Sequence, residues 1–369
     1  MAGPAVASPT PADVAKGYAT LVHANYSDAL HGAQQLHRAI QTLVKHPSAG
    51  HLEAAKQAWL QAREVYGQTE AFRFYGGPID GEGGPEGQIN AWPMDESYVD
   101  YVKGNASSGF INNSTFNITR AALIENNERG GEENIATGWH AIEFLLWGQD
   151  LSVDGPGQRP HTDYVKGVGQ NAERRGAYLL EVSQLLVDDL SALAAQWAPN
   201  SAGNYRAGFE QGGLESVRKM LVGLGSLSRG ELAGERLEVA LFSQDQEDEH
   251  SCFSDNTHRD AVANAQGILN VWTGQYRKVN GELLQVPSLQ SLVAKKAPAL
   301  ASKTSQQMAA SVKAAENIQA PFDREILGGA DAPGPKRIRA VIDSLTKQST
   351  LIVEAASALG IEQLTLAMP

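Results

Sequence analysis

A histidine and a glutamate three positions apart, His140 and Glu143, lie within the strongly apolar stretch GWHAIEFLLW at residues 138–147. On an α-helix this spacing puts both side chains on one face, with their Cβ atoms about 5–6 Å apart. An imidazole and a carboxylate suit iron, zinc or manganese, and helical bundles commonly build metal sites from such pairs. The surrounding apolar residues predict burial, where a carboxylate is costly unless it is paired or binds a metal. The sequence therefore predicts either a metal site or a buried polar pair that only forms hydrogen bonds.

Further candidates for such a site occur elsewhere in the first half of the chain. Glu70 lies in TEAFRF at a predicted helix end, three positions before Arg73, and Asp95 follows the sequence AWPM. The alternative for Glu70 is a surface position or a salt bridge, for which Arg73 is the closest partner along the helix. Trp139, inside the motif itself, is a candidate to line the site.

A second polar stretch, QDQEDEHSCFSDNTHRD at residues 244–260, gathers acidic residues and two histidines, His250 and His258, around the single cysteine, Cys252. These residues lack the paired cysteine spacing of a structural zinc site. They are secondary candidates for a metal site, and the alternative is a solvated acidic loop followed by a capped helix. One cysteine cannot form an internal disulfide, so the fold must depend on packing.

A short internal similarity relates the two halves of the chain. Residues 142–150, IEFLLWGQD, align without a gap on residues 237–245, LEVALFSQD. If this similarity marks a duplication, Glu235 and Glu238 take the places in the second half that the motif's histidine and glutamate take in the first. The sequence then predicts a related polar pair in the second half.

A metallopeptidase is another interpretation of the motif. Zinc peptidases use H-E-x-x-H or the inverted H-x-x-E-H, but HAIEF has Phe144 where the second histidine would stand. Glu143 would serve as the general base of such an enzyme, acting on a metal-bound water. The ligand count disfavours hydrolytic zinc and leaves enzymatic activity open.

A third interpretation is a non-catalytic module that binds a ligand or partner and whose polar cluster is structural.

Helices must position these residues. Apolar residues recur at three- and four-residue spacing over most of the 369 residues, whereas strand-like alternation is scarce. The predicted fold is all-α, with two helical-bundle domains at residues 12–200 and 201–369.

A net charge of −12 disfavours nucleic acid and anionic membranes as partners. The sequence has no run of the roughly 18 apolar residues that a membrane span needs, and its first residues lack the apolar region of a signal peptide.

The motifs resemble those of a known family. GWHAIE fits G-x-H-x-x-E, and together with YGQTEAFRFYGGPID and INAWPMDESYVDYV it resembles the imelysin-like, peptidase M75-like family, in particular its iron-regulated-protein-A branch. EDEHSCFSDNTHRD is similar to the second signature of that branch. The resemblance implies two helical bundles related by a pseudo-twofold axis. It also implies a bacterial envelope protein, periplasmic or associated with the outer membrane, whose signal peptide has been removed.

The resemblance further implies a role in iron uptake. It predicts that the protein binds iron or another divalent metal and that its partners are iron-uptake proteins of the envelope. The family motif falls on His140 and Glu143, and the implied neighbouring ligands are Glu70 and Asp95. These four residues form the predicted metal site.

Overall fold

The computed structural model describes residues 9–368. The first residues of the chain, which bear on the signal-peptide expectation, and Pro369 at the end of the second predicted domain lie outside the described part. Seven helices occupy the first half, in the order α1 (Pro11–Lys45), α2 (Ala49–Thr69), α3 (Glu86–Asn90), α4 (Gly109–Asn112), α5 (Arg120–Asn126), α6 (Gly138–Trp147) and α7 (Ala172–Gln196).

The second half is also helical. Its helices are α8 (Tyr205–Gln211), α9 (Leu214–Ser226), α10 (Val239–Ser243), α11 (Thr257–Thr273), α12 (Leu289–Ala294), α13 (Pro298–Glu316), α14 (Phe322–Ile326) and α15 (Pro333–Ala358). A π-helical stretch, Leu227–Glu238, connects α9 to α10 without a break. A small antiparallel hairpin of β1 (Gln275–Arg277) and β2 (Leu283–Gln285) follows α11, and short 3₁₀ turns occupy Glu70–Phe72, Glu96–Tyr98, His161–Tyr164 and Gln246–Asp248.

The long helices begin where the sequence supplies caps. Thr10 and Asp13 form a reciprocal capping box at the start of α1, with Pro11 in the first turn, and the Ser48 side chain caps α2. These side chains accept hydrogen bonds from backbone N–H groups that have no partner inside the helix. Helices α1 and α2 form a helix hairpin whose apolar stripes face the core.

Two sets of helices make up the core. In the first, α1 packs against α2 and α7, and α6 packs against α2 and α7. In the second, α15 packs against α13, α9 and the π-helical stretch, while α11 packs against α13. With 64% of residues helical, the all-α prediction is confirmed. The boundary at residues 200 and 201 and the pseudo-twofold axis stay predictions. No helix in residues 9–368 is long and apolar enough to cross a membrane.

The contact between α2 and α11 joins the two sets of helices. A Cβ atom added to Gly267 of α11 would lie 2.2 Å from the carbonyl oxygen of Gln68 in α2. A Cβ atom on Gly67 would likewise lie 2.7 Å from the Cβ atom of Ala263. Both positions therefore need glycine because the two helix backbones approach closely there.

Because α2 and α11 approach so closely at Gly267, one methyl group added there should greatly lower the stability of the fold. Gly267→Ala forces α2 and α11 apart, and we expect it to lower the free energy of unfolding by roughly 2–3 kcal/mol, measured by urea denaturation. Gly50→Ala is the matched control because a Cβ atom at this exposed helical position meets nothing within 4 Å. It should leave stability unchanged or slightly raised. Equal stability of the two variants would contradict the prediction.

Candidate functional site

The predicted motif lies on α6, whose ten residues are all buried. Gly138 begins this helix with a φ angle of +86°, and a Cβ atom there would lie 2.4 Å from the carbonyl oxygen of Ile89. The first residue of the motif is therefore glycine for steric reasons, because it lets α6 start directly against α3. This position brings His140 and Glu143 into the interior.

Glu143 uses both of its carboxylate oxygens within the protein. Its Oε2 lies 2.8 Å from Nδ1 of His140. Its Oε1 accepts hydrogen bonds from the backbone N–H and the hydroxyl of Ser254, at 2.9 and 2.6 Å. Burial raises the pKa of Glu143 to about 8, an effect that the bonds from Ser254 oppose. Glu143 therefore orients His140 and anchors the loop that precedes α11.

Arg63 of α2 lies at the centre of the site. Its Nε donates to Oδ1 of Asp260 at 3.2 Å, and its Nη1 donates to the Asn90 side chain at 2.5 Å. Its Nη2 lies 3.4 Å from Nε2 of His140 and 3.3 Å from Nε2 of His250. The guanidinium also packs 5.5–5.8 Å from the ring centroids of three aromatic residues, Trp59, Tyr66 and Trp139. A buried cation is thus surrounded by one carboxylate, two imidazoles and aromatic faces.

His250 mirrors the arrangement of His140. Its Nδ1 lies 2.7 Å from Oδ2 of Asp260, and its ring centroid lies 5.0 Å from that of His140. Nη2 of Arg63 is a donor, so Nε2 of His140 accepts and Nδ1 of His140 carries the ring proton. In His250, Nη2 lies 3.4 Å from Nδ1 and 3.3 Å from Nε2, and the Asp260 carboxylate beside Nδ1 places the ring proton there. Each histidine therefore has a carboxyl group beside Nδ1, and both rings lie against the same guanidinium.

Both imidazoles are neutral at physiological pH. Burial, reinforced by Arg63, holds the pKa of His140 well below its usual value. Burial, reinforced by Arg236, lowers the pKa of His250 to about 3. A neutral imidazole is the form that can bind a metal.

Glu70, a predicted ligand, is instead held by basic residues. Its Oε2 accepts from Arg236 at 2.6 Å and from Arg73 at 2.8 Å, and its Oε1 accepts from Asn90 at 2.8 Å. Burial acts to raise the pKa of Glu70, but the two arginines outweigh it and the pKa falls below the usual range. The π-helical stretch supplies both Arg236 and Glu231, whose carboxylate pairs with Arg236 at 2.9 Å. Glu70 therefore belongs to an ion-pair network.

The fourth predicted ligand, Asp95, is a helix cap. Its Oδ1 accepts from the backbone N–H of Ser97 at 2.9 Å and from the Ser97 hydroxyl at 2.6 Å, at the start of the 3₁₀ turn Glu96–Tyr98. A carboxylate in this position satisfies the first free N–H groups of the turn. The four predicted ligands therefore do not share one ligand position, and His250 occupies the place beside His140 that the sequence assigned to Glu70 and Asp95.

The other secondary candidates differ in burial and in the groups that they contact. His258 is half-buried, and its Nδ1 lies 3.1 Å from the carbonyl oxygen of Asp255. Glu235 is exposed, and Glu238 pairs with Arg229 at 3.4 Å near the surface. The expected counterpart of the His140 and Glu143 pair in the second half is therefore wrong, because the two glutamates there face outward instead of into the core. Trp139 is buried within the aromatic wall around Arg63, as described above.

A narrow pocket lies over the two histidines. Its volume of about 10 Å³ holds roughly one water molecule or a bare ion. The lining includes the rings of His140 and His250 together with Glu247, Glu249 and Cys252. Burial raises the pKa of the Cys252 thiol well above its usual value, so the thiol is protonated. The pocket in this state is too small for a peptide.

The sequence motifs did not indicate the charged and polar residues that organise the site, namely Arg63, Asp260, Arg236, Asn90 and Ser254. One signal was available for Arg63. Trp59, Arg63, Tyr66 and Glu70 recur at helical spacing, so that the arginine lies on the apolar face of α2. A charged residue on the buried face of a helix requires a partner of opposite charge. The partner, Asp260, is distant in sequence and has no local signal.

These features define a predominantly helical protein in which a buried network of charges joins two sets of helices. Comparison with known proteins gives the family. The imelysin family model, peptidase M75, matches residues 22–352, and the chain belongs to this family. Iron-regulated protein A of Synechococcus elongatus is 26% identical over 334 residues, covering 89% of this chain and 83% of that protein.

Two crystal structures share the fold. A protein described as an iron-regulated protein A precursor, from Parabacteroides distasonis, superposes with a TM-score of 0.73 at 18% identity, covering 97% of this chain and 98% of that one. An imelysin-like protein from Psychrobacter arcticus superposes with a TM-score of 0.66 at 17% identity, covering 97% and 99%. The family resemblance predicted from the motifs is therefore confirmed.

The central position of Arg63 predicts a large loss of stability on its removal. Arg63→Met leaves the buried carboxylate of Asp260 without its cation, and we expect the free energy of unfolding to fall by roughly 3–5 kcal/mol in urea denaturation. The double variant Arg63→Met/Asp260→Leu removes both charges and should recover much of that loss. A single variant as stable as the wild type would show that the ion pair does not support the fold.

Proposed function

We propose that this imelysin-family protein binds iron as its cargo in bacterial iron acquisition, through His140 and His250. The observation that supports this proposal is a pair of neutral imidazoles, with ring centroids 5.0 Å apart, that line one small pocket. Each ring has a carboxyl group beside Nδ1, Glu143 for His140 and Asp260 for His250. Metal-binding histidines have the same arrangement, because the carboxylate fixes the tautomer and makes Nε2 a better donor.

The pocket supplies further donors of suitable chemistry. Glu247 and Glu249 line it beside the two histidines, so oxygen as well as nitrogen atoms are available, whereas the protonated Cys252 thiol is not a ligand. Mixed nitrogen and oxygen ligands suit iron in either common oxidation state. An acidic protein surface, with a net charge of −12, also attracts cations towards the pocket.

Arg63 competes with the metal. Its Nη2 lies within hydrogen-bonding distance of both Nε2 atoms, so a cation between the rings requires this group to withdraw. The guanidinium keeps its contacts with Asp260 and Asn90 through its other nitrogens. Competition of this kind weakens binding and makes it reversible, which suits a protein that passes iron to a partner.

The envelope location and the partners belong to the same proposal. The family resemblance supports export to the periplasm or the outer membrane, where iron-uptake proteins of the envelope would receive or deliver the metal. The name of the cyanobacterial relative states that it is regulated by iron. A gene controlled by iron supply is consistent with a product that handles iron.

The proposal predicts that both histidines are needed for iron binding. We expect the wild type, dialysed anaerobically to equilibrium against ferrous iron, to hold about one iron per chain above the free concentration, measured by mass spectrometry. His140→Ala and His250→Ala should each lose most of this iron. His258→Ala is the control because that half-buried ring contacts the backbone outside the pocket.

Loss of stability without loss of iron in His140→Ala would contradict the proposal. That result would instead favour a structural polar cluster in a module that binds some other ligand or partner.

The peptidase interpretation makes a separate prediction. Glu143 is fully buried, and both of its oxygens have partners, which leaves no position from which it could activate water for an open substrate cleft. We expect wild type and Glu143→Gln to hydrolyse a fluorogenic peptide library at the same background rate. Metal-dependent hydrolysis by the wild type that is abolished in Glu143→Gln would establish the enzyme instead.

A further inference from the structure

Three aspartates from distant parts of the chain meet at a second buried position. Asp150 follows the end of α6, Asp255 lies in the loop before α11, and Asp323 is in α14. One oxygen atom of each carboxylate lies within 4.8 Å of the other two. Like charges at this separation repel strongly, so the arrangement requires compensation.

Among residues 9–368, no basic side chain pairs with the three carboxylates, and the one hydrogen bond that they accept runs from the backbone N–H of Ser152 to Oδ1 of Asp150, at 3.0 Å. The three side chains are only 3%, 5% and 1% exposed, in chain order. Neither oxygen of Asp255 or of Asp323 has a hydrogen-bond donor in the described part of the chain, and nor does Oδ2 of Asp150. Arg324, the neighbour of Asp323, pairs with the exposed Asp154 instead. Buried carboxylates without a partner are rare in native proteins and point to a group that is absent from the protein itself.

A fourth carboxylate faces the same position. Glu249 is 2% exposed, and its Oε1 also has no donor among the described residues. Burial, together with the proximity of Asp323, raises the pKa of Glu249 well above its usual value. Burial and Asp323 likewise raise the pKa of Asp255 to about 8. The local environment therefore strongly disfavours these negative charges unless a cation joins them.

We propose that Asp150, Asp255 and Asp323, with Glu249 beside them, bind a divalent cation of the calcium type. All the candidate ligand atoms are carboxylate oxygens, which hard cations prefer, and the set contains no histidine or cysteine. Two ligands on opposite sides of Ca²⁺ lie up to roughly 5 Å apart, given Ca–O distances of about 2.3–2.6 Å. The separation of the aspartate oxygens is compatible with that span. Magnesium requires a tighter octahedron at about 2.1 Å.

The cation would connect three segments of the chain. Asp150 belongs to the loop after the motif helix, Asp255 adjoins Ser254, and Asp323 belongs to the short helix before α15. Ser254 holds the Glu143 carboxylate, and His250 lies in the same loop as Asp255. A calcium ion at this position would therefore fix the loop that carries His250 over the iron pocket. The three aspartates are separate from the two histidines proposed to bind iron, and Glu249 borders both positions.

A surface groove borders the aspartates. Asp323 lines this groove together with Gln246, Glu247 and Ile326, and the Gln246 side chain donates to the carbonyl oxygen of Asp150 at 2.6 Å. The groove is the side from which a cation would enter. Glu247 in this groove also lines the pocket over the histidines, so the two positions share a wall.

The test is calcium-dependent thermal stability of the full chain after removal of metals with EDTA. We expect CaCl₂ to raise the Tm of the wild type by several degrees and calorimetry to give about one site per chain. Asp323→Asn and Asp150→Asn should each weaken calcium binding by roughly tenfold or more. Both should still fold in EDTA because each removes a repulsive charge from the cluster. The control is Asp154→Asn, an exposed acidic residue close in sequence that should bind calcium like the wild type.

Three further results decide the assignment. His140→Ala should keep the calcium effect, which would separate this site from the iron proposal whatever the outcome there. No rise in Tm with CaCl₂, or an equal rise in Asp323→Asn, would overturn the calcium site. Tighter binding of MnCl₂ or MgCl₂ than of CaCl₂, or ferrous iron binding that survives in His140→Ala and is lost in Asp323→Asn, would overturn the calcium assignment in favour of that metal.

Discussion

The buried guanidinium of Arg63 is the interaction on which the rest of the site depends. Removing an arginine from water is costly, and the protein offsets this cost with Asp260, Asn90, two imidazoles and three aromatic faces. These partners come from helices in both halves of the chain. The position of α2 against α11, and of the motif helix against α2, is therefore fixed by the need to surround one charge. The glycine contacts between α2 and α11 allow that approach.

The fold was largely predictable because its signals are local. Apolar spacing and the caps at Thr10 and Ser48 indicate long helices without reference to the rest of the chain. The site was only partly predictable. His140 and Glu143 share a helix turn, and a sequence can show that. The pairing of Arg63 with Asp260, or of Glu70 with Arg236, joins residues far apart in sequence, and only the packed structure brings them together.

Two neighbouring clusters of buried carboxylates differ in whether basic side chains compensate their negative charge. Around Glu70 and Asp260, arginines compensate each buried carboxylate, and the pKa of both acids falls below the usual range. Around Asp255, the described residues offer no such cation, and the pKa rises. The same acidic stretch, residues 244–260, contributes to both environments. Its composition suggests a solvated loop, yet His250, Ser251 and Asp255 are buried, because tertiary contacts outweigh local polarity.

The distance in sequence between Arg63 and Asp260 has a consequence for how the molecule assembles. Nearly two hundred residues separate these partners, and closing so long a loop has an entropic cost that local helix formation does not share. The helix hairpin of α1 and α2 can form early from nearby contacts, whereas the histidine pocket takes shape only when α11 docks. During synthesis the first half therefore emerges with Arg63 and Glu70 still lacking their distant partners. The functional centre is consequently a late product of folding, and neither half of the chain contains it alone.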